Sequence, residues 1–250
     1  MLDTKKEFNN LKIHTQYSIC EGAIKIDDLA NYCKTNKIKA IGLADSYNLC
    51  GALEFAEKIS KTGTQPIIGT QINILSENQI GKITLYATSE QGYKNLTKLS
   101  SLSYLNCKNN EDHACEIEDL IKNNKDLILL TGNYRDFFGK LFQANKTKYL
   151  YEIINLLKKN FNNRIYFEIQ RHEEKGETNF ENFILNSSKS LEIPLIATQE
   201  VYYLNKEMYE AHDALRCIGE KSFIEDKNRF RLSNQHFLKT NKEIGKLYSD

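Results

Sequence analysis

Short apolar runs alternate with amphipathic stretches from residue 11 to residue 218. Residues 11–14, 40–44, 83–87, 127–130, 165–169 and 194–197 read as strands, and 66–68 together with 72–74 as one further strand region. A continuous apolar run such as 40–44 suits a strand covered on both faces, the parallel type. Between the strands, Ile26, Leu29, Ala30 and Cys33 recur at spacings of three and four and mark one face of a helix. Asp27 and Asp28 put negative charge in its first turn. Leu53, Phe55, Ala56 and Ile59 predict a second helix stopped by Gly63, and Tyr93, Leu96 and Leu99 a third, capped by Ser89. Helical patterns follow over 117–121, 137–142, 150–157 and 180–191, and Tyr209, His212, Ala214, Leu215 and Ile218 mark a last one. The tail, 223–250, is irregular.

Strand–helix alternation about seven times over argues for a parallel sheet. Seven units in some 220 residues fit a closed or nearly closed barrel better than two doubly wound halves. No G-x-G-x-x-G or G-x-x-x-x-G-K-[ST] follows a strand, which counts against dinucleotide and nucleoside-triphosphate sites. Nothing in the composition marks a linker, so residues 1–250 are expected to form one domain.

Composition narrows the function. Charged residues make up 27% and the net charge is +1, so nothing global draws the chain to nucleic acid. No apolar run approaches the ~20 residues of a membrane span, and Met1 to Glu7 lacks the apolar core of a signal peptide. Six cysteines without a C-x-x-C pair read as reduced, cytosolic and mostly buried, giving a cytoplasmic expectation. His113-Ala114-Cys115, beside the polar stretch Asn109-Asn110-Glu111-Asp112, has no second ligand pair nearby and does not read as a zinc site.

In a barrel, chemistry gathers at the C-terminal strand ends. Those ends carry His14, Asp45-Ser46, Gln71, Asn133, Glu168 to His172, and Gln199-Glu200. Residues 10, 12 and 14 share one strand face, and a His-x-His there would hold a transition metal. Lys12 brings a fixed charge and no lone pair. Each residue also has a structural reading. His14 suits a buried hydrogen bond, Asp45 with Ser46 and Asn48 a turn, His172 an exposed charged loop, Glu200 a solvated loop and His212 helix packing.

Several stretches resemble one family, the polymerase-and-histidinol-phosphatase (PHP) domain that opens the alpha subunit of bacterial DNA polymerase III. Its first motif runs His-Leu-His-x-His-Thr-x-Tyr-Ser, against Asn10-Leu11-Lys12-Ile13-His14-Thr15-Gln16-Tyr17-Ser18 and then Glu21-Gly22-Ala23 here. Ala44-Asp45-Ser46-Tyr47-Asn48-Leu49-Cys50-Gly51 is similar to Thr-Asp-His-Gly-Asn-Leu-x-Gly, and Pro66-Ile67-Ile68-Gly69-Thr70-Gln71 to Pro-Ile-x-Gly-x-Glu. Gly92 to Leu96, Glu168 to His172, and Ala197-Thr198-Gln199-Glu200-Val201-Tyr202-Tyr203-Leu204 follow polymerase-type versions. Ala211-His212-Asp213 and Cys217-Ile218 fit the family's last helix.

The resemblance implies an α/β fold, a distorted seven-stranded (β/α)7 TIM-like barrel, at the front of a longer DNA-copying chain. Active members hydrolyse phosphoesters with a metal cluster. At the matching positions Lys12, Ser46, Gln71 and Tyr202 replace His, His, Glu and His; Glu200 stands for Asp and Asn133 for Cys; His14, Asp45 and His172 persist. These nine positions read as a vestigial metal site with no catalytic residue and no cofactor. The expected role is a scaffold that stabilises the polymerase and docks its proofreading exonuclease subunit, with DNA bound through other domains and no membrane partner. The alternative is a surviving Zn- or Mn-dependent phosphoesterase or 3′–5′ exonuclease. Lys12 is expected to fill the emptied cleft by pairing with Asp45 or Glu200.

Overall fold

The computed structural model describes residues 7–105, 107 and 113–250. The stretch Asn109 to Asp112 and the first six residues lie outside them. The strands are β1 (Lys12–Ile13), β2 (Ala40–Ser46), β3 (Gln65–Ser76), β4 (Gln79–Ala87), β5 (Cys115–Glu116), β6 (Leu127–Leu130), β7 (Ile165–Ile169), β8 (Leu195–Ala197) and β9 (Glu200–Val201). The helices are α1 (Ile26–Asn36), α2 (Ala52–Ser60), α3 (Glu90–Leu105), α4 (Ile117–Lys122), α5 (Phe137–Gln143), α6 (Thr147–Phe161), α7 (Glu177–Leu191), α8 (Tyr209–Glu220) and α9 (Asn241–Leu247).

Among the described residues the strands join in the order β8-β7-β6-β4-β3-β2-β1-β9, with β5 paired to β3 outside that path. Only Thr198 and Gln199 separate β8 from β9, so the two ends of the sheet are close in the chain and the sheet curls. The fold is α/β, as expected, but the sheet has nine strands rather than seven. Two physical causes account for the difference. The last strand is interrupted into β8 and β9, and the short β5 adds to one edge.

β4 also runs antiparallel to both β3 and β6, where alternation had implied a parallel strand. Ser76 pairs with Gln79, so the connection is the two-residue turn Glu77-Asn78, with Glu77 at φ 51°. A glycine-free turn gives no hairpin signal of the Asn-Gly kind.

Helix faces follow the apolar spacing. Leu150, Ile153, Ile154, Leu157 and Phe161 bury one stripe of α6 against the larger core, with strands β3, β4, β6 and β7. α1 and α2 cover β1 and β2 through Leu29, Cys33, Phe55 and Ile59. α1 stops at Lys37, whose left-handed φ of 52° lets its N–H reach back to Cys33 and Lys34 carbonyls. The tail is less irregular than expected: Thr240 and Glu243 form a reciprocal capping box that starts α9. A small apolar floor, Ala44, Tyr86 and Leu130 with Leu11 and Tyr166 against them, lies inside the curl of the sheet. Tyr86 donates its hydroxyl to the Leu11 carbonyl at 3.0 Å and so fixes β1 over that floor.

Candidate functional site

The ends of β1, β2 and β7, the middle of β3, the start of β9 and the loop after β6 converge on one cleft, a cavity of about 370 Å³. Its lining includes Glu21, Lys82, Asp136, Glu200, Tyr202 and His236. The positions singled out from sequence come together around it, mostly buried.

Lys12 is fully buried, and its Nζ lies 3.5 Å from Glu168, 3.6 Å from Glu200 and 3.7 Å from Asp136. These are ion-pair distances, longer than the 2.7–3.2 Å of an N–H···O hydrogen bond. Burial alone would lower the ammonium, but Glu168, Glu200 and Asp136 outweigh it and raise Lys12 above the ordinary lysine value. Burial would likewise raise Glu200, yet Lys12 and the contact with His14 hold it well below the usual carboxylate range. One ammonium does not neutralise three carboxylates. The excess falls on Asp136, which burial pushes up to about 7, with Glu200 and Glu168 adding to the effect against Lys12.

Glu200 is the hub. Its Oε1 accepts from Gln71 Nε2 at 2.7 Å and lies 3.2 Å from His14 Nε2, while its Oε2 accepts from Asn133 Nδ2 at 2.8 Å. Glu168 accepts from the Gly132 N–H at 2.7 Å, from the Thr198 hydroxyl at 2.5 Å and from Gln170 Nε2 at 2.9 Å. Asp136 accepts from the Asn133 N–H at 2.9 Å.

A second cation stands beside the first. Lys82 Nζ donates to Glu21 at 2.9 Å and to the Ser46 hydroxyl at 3.1 Å, and Ser46 donates to Glu21 at 2.5 Å. Burial would raise Glu21, but Lys82 and Ser46 bring it down to about 2. Arg216 Nη1 lies 3.5 Å from the other oxygen of Glu21.

Asp45 does not face Lys12, contrary to one of the two expected pairings. The carboxylate is buried and bound locally, accepting from the Thr15 N–H at 2.6 Å, the Thr15 hydroxyl at 2.8 Å and the Ser18 hydroxyl at 2.7 Å. Burial raises its pKa, and those donors oppose the rise. It therefore ties the turn after β1 to the end of β2. The pairing with Glu200 is the one that forms.

The histidines divide by environment. His14 is buried with its ring stacked on Tyr202 at 4.4 Å between centroids. His172 is not the exposed loop residue its charged neighbours implied, because the loop folds inward and buries it to 1% exposure. Its Nε2 accepts from the Glu200 N–H at 3.3 Å, and its ring stacks on His236 at 4.1 Å. Burial, then His236, holds it well below the ordinary histidine value, so it is neutral. His212 packs and hydrogen-bonds as its helix position implied, with Nε2 2.7 Å from the Glu21 carbonyl, and burial brings it down to about 4.

As arranged, these donors do not fit the family's metal cluster. An ammonium fills the point toward which Asp136, Glu168 and Glu200 converge. The His172 Nε2 lone pair is spent on a backbone N–H. Ser46, Gln71 and Tyr202 are neutral groups engaged with, or stacked on, other residues. A metal centre needs deprotonated donors aimed at an open point about 2.0–2.2 Å away. His113 also lines the cavity and stacks on Tyr104 at 4.6 Å, while Cys115 is buried and donates to the Leu99 carbonyl at 2.9 Å. Of the six cysteines only Cys33, Cys115 and Cys217 are buried, so "mostly buried" holds for half of them; Cys50 and Cys107 sit in exposed positions.

Sequence reading missed Asp136, Glu21, Lys82 and His236, and gave Glu168 no role of its own. Asp136 was visible as an acid in the loop after β6. Lys82 was not visible: a parallel β4 would place it at the far end of the sheet, whereas the antiparallel strand sets it opposite Asn73 near the cleft. His236 arrives from the tail, where no periodicity placed it; its Nδ1 lies 3.2 Å from the Glu200 carbonyl.

A polar cleft on a curled α/β sheet is where barrel-like α/β domains place their sites. The PHP domain family matches residues 10–172, and the chain belongs to that family. It is 33% identical over 251 residues to DNA polymerase III subunit alpha of Caulobacter vibrioides, covering 97% of this chain and 22% of that protein. To the same subunit of Rickettsia conorii it is 37% identical over 250 residues, covering 98% and 21%. The chain thus spans about a fifth of the length of these curated relatives. Among solved structures, a two-domain protein from Bacteroides vulgatus containing a predicted PHP-like metal-dependent phosphoesterase superposes with a TM-score of 0.49. That likeness is at 10% identity over 95% of this chain and 61% of the other. No helix among the described residues is long and apolar enough to cross a membrane.

Proposed function

We propose that the chain is the N-terminal PHP domain of a replicative DNA polymerase III alpha subunit, and that its own cleft is non-catalytic. The polymerase part rests on the family and on relatives matched along nearly the whole chain. In this reading the 250 residues are a single domain of a longer cytoplasmic DNA-directed DNA polymerase. DNA is copied by other parts of that protein. The domain stabilises the polymerase and docks its proofreading exonuclease subunit.

The observation that carries the non-catalytic part is Lys12, buried among three carboxylates where a hydrolase of this family needs metal-ligating imidazole. Without a metal to lower the pKa of bound water from ~15.7 to ~7, the cleft has no strong nucleophile at neutral pH. The test is an assay of the purified chain on p-nitrophenyl phosphate and single-stranded DNA with added Zn²⁺ or Mn²⁺. No turnover is expected. Turnover that follows the protein through purification and is lost in His14→Ala contradicts the reading and restores a metal-dependent phosphoesterase. For the docking role, size exclusion with the cognate exonuclease subunit is expected to give a joint peak, and separate elution contradicts it.

A further inference from the structure

Lys12 and Lys82, two lysines paired with the cleft's carboxylates, are held differently. Lys82 makes ordinary hydrogen bonds at 2.9 and 3.1 Å. Lys12 has no hydrogen-bond partner among the described residues, although it is fully buried. Its Nζ instead sits nearly equidistant from Asp136, Glu168 and Glu200, within 3.5–3.7 Å of all three. A lysine that forms a pair closes on one partner, since a charge-assisted contact shortens to about 2.7–2.9 Å. An ion in a cage keeps its distance from several.

The three carboxylates are also held by partners other than Lys12. Glu168 is fixed by the Gly132 N–H, the Thr198 hydroxyl and Gln170, Glu200 by Gln71 and Asn133, and Asp136 by the Asn133 N–H. These partners come from β3, from the loop after β6, and from residues beside β7 and β8. These partners aim the oxygens at one point, and the cation there offsets their mutual repulsion. Two of the three carboxylates, Asp136 and Glu168, are outside the nine positions that the sequence motifs single out.

We infer that Asp136, Glu168 and Glu200 form a cation-binding site of their own, whose resident occupant is the tethered ammonium of Lys12 and which accepts a small free alkylammonium ion when that tether is cut. The ion bridges the end of β1 to the ends of β7 and β9 and to the loop before α5, so filling the site and holding the cleft together are one event. This inference concerns the residues of the cleft and stands whether or not the polymerase reading does.

The experiment is chemical rescue followed by thermal unfolding of the 250-residue chain. Lys12→Ala removes the side chain beyond Cβ, and propylammonium replaces the lost atoms. The variant is expected to melt roughly 5–15 °C below the parent. Propylammonium is expected to raise its Tm progressively with concentration, as for any ligand that binds only the folded state. Propanol, of the same size but uncharged, is expected to raise it little, and neither compound to shift the parent. An unchanged Tm in Lys12→Ala overturns the inference, as does equal rescue by propanol, which would make Lys12 a volume filler. If Lys12→Ala does not fold, Lys12→Met combined with Glu168→Gln decides. Recovery of a cooperative transition in the double variant but not in Lys12→Met alone supports the caged charge, and no recovery contradicts it. Turnover in the phosphoesterase assay would sink the non-catalytic reading and leave these melting results to be judged separately.

Discussion

Lys12 and Glu200 are direct partners in the parallel pairing of β1 with β9, and the Lys12 ammonium stands 3.6 Å from Glu200 Oε1. The strand register and the ion pair thus hold the same two segments, which are 188 residues apart in number. A backbone ladder only two residues long is weak by itself. The buried charges supply the remaining specificity of that junction.

A double-mutant cycle measures this relationship. Removing one member of a buried ion pair strands the other in a low-dielectric site and costs about 3–5 kcal/mol. Lys12→Met and Glu200→Gln are each expected to destabilise the chain in urea unfolding. Together they are expected to cost less than the sum of the single changes, with a coupling of about 1–3 kcal/mol. Strict additivity would mean that the two side chains do not act on each other.

Asp136 gives the cleft a pH signature whose sign is fixed by its environment. Burial pushes its carboxyl up to about 7, against ~3.9 in an unfolded chain. Between those values the folded state holds a proton that the unfolded state has released, so this group's contribution falls as pH rises from ~4 to ~7. Glu21 and Glu200 are depressed and run the other way, losing their contribution as pH falls below the ordinary carboxylate range. His172 and His212 are lowered too, and they disfavour folding as the pH drops below ~6.5. Asp136→Asn isolates the first effect. Its stability relative to the parent is expected to improve by on the order of 1–3 kcal/mol between about pH 5 and pH 8. A difference that stays flat across that window counts against a buried, raised Asp136.

Much of this was legible in the chain, and the gaps have physical causes. All seven of the sequence-read strand regions fall on β-strands, because apolar runs bounded by polar turns are a local signal. The orientation of β4 was not legible, since a two-residue turn without glycine resembles any other pair of polar residues between strands. Lys82 was lost with it. The exchange of His for Lys12 was readable from one motif, but the cage around Lys12 was not. Asp136 and Glu168 reach it from positions more than 120 residues away in the chain, and only the curl of the sheet brings them there.

Gly42 of β2 lies against the chain leading into β1, with its N–H bonded to the Asn10 carbonyl at 2.8 Å. A Cβ there would lie 2.3 Å from the Leu11 carbonyl oxygen, and the atoms it meets are backbone rather than a side chain that could swing away. Gly42→Ala is expected to cost about 2–4 kcal/mol and to shift β1, and Lys12 with it. Urea unfolding checks this. A cost within ~0.5 kcal/mol of zero, as for an exposed surface change, would show that β1 adjusts freely.

The segment that brings His236 to the cleft is tied down by Asp213 on α8, which is buried and takes Arg229 Nη1 at 2.7 Å and Arg231 Nε at 3.1 Å. Phe230 lies between those arginines in sequence and under the Arg135 guanidinium, 3.9 Å from its ring centre. Asp213→Ala is expected to cost about 1–3 kcal/mol and to expose residues 222–236 to limited proteolysis. Unchanged cleavage there would mean that the arginines do not hold the segment.

The central claim is that this PHP cleft carries its positive charge on its own side chains and not on metal. The direct measurement is the metal content of the chain purified without added metal, read by plasma mass spectrometry and repeated after incubation with Zn²⁺ or Mn²⁺ and desalting. The account predicts substoichiometric metal in both samples, because Lys12 fills the point where Asp136, Glu168 and Glu200 converge. About two or more tightly held equivalents of zinc or manganese, the number a two-metal hydrolytic centre requires, would contradict it.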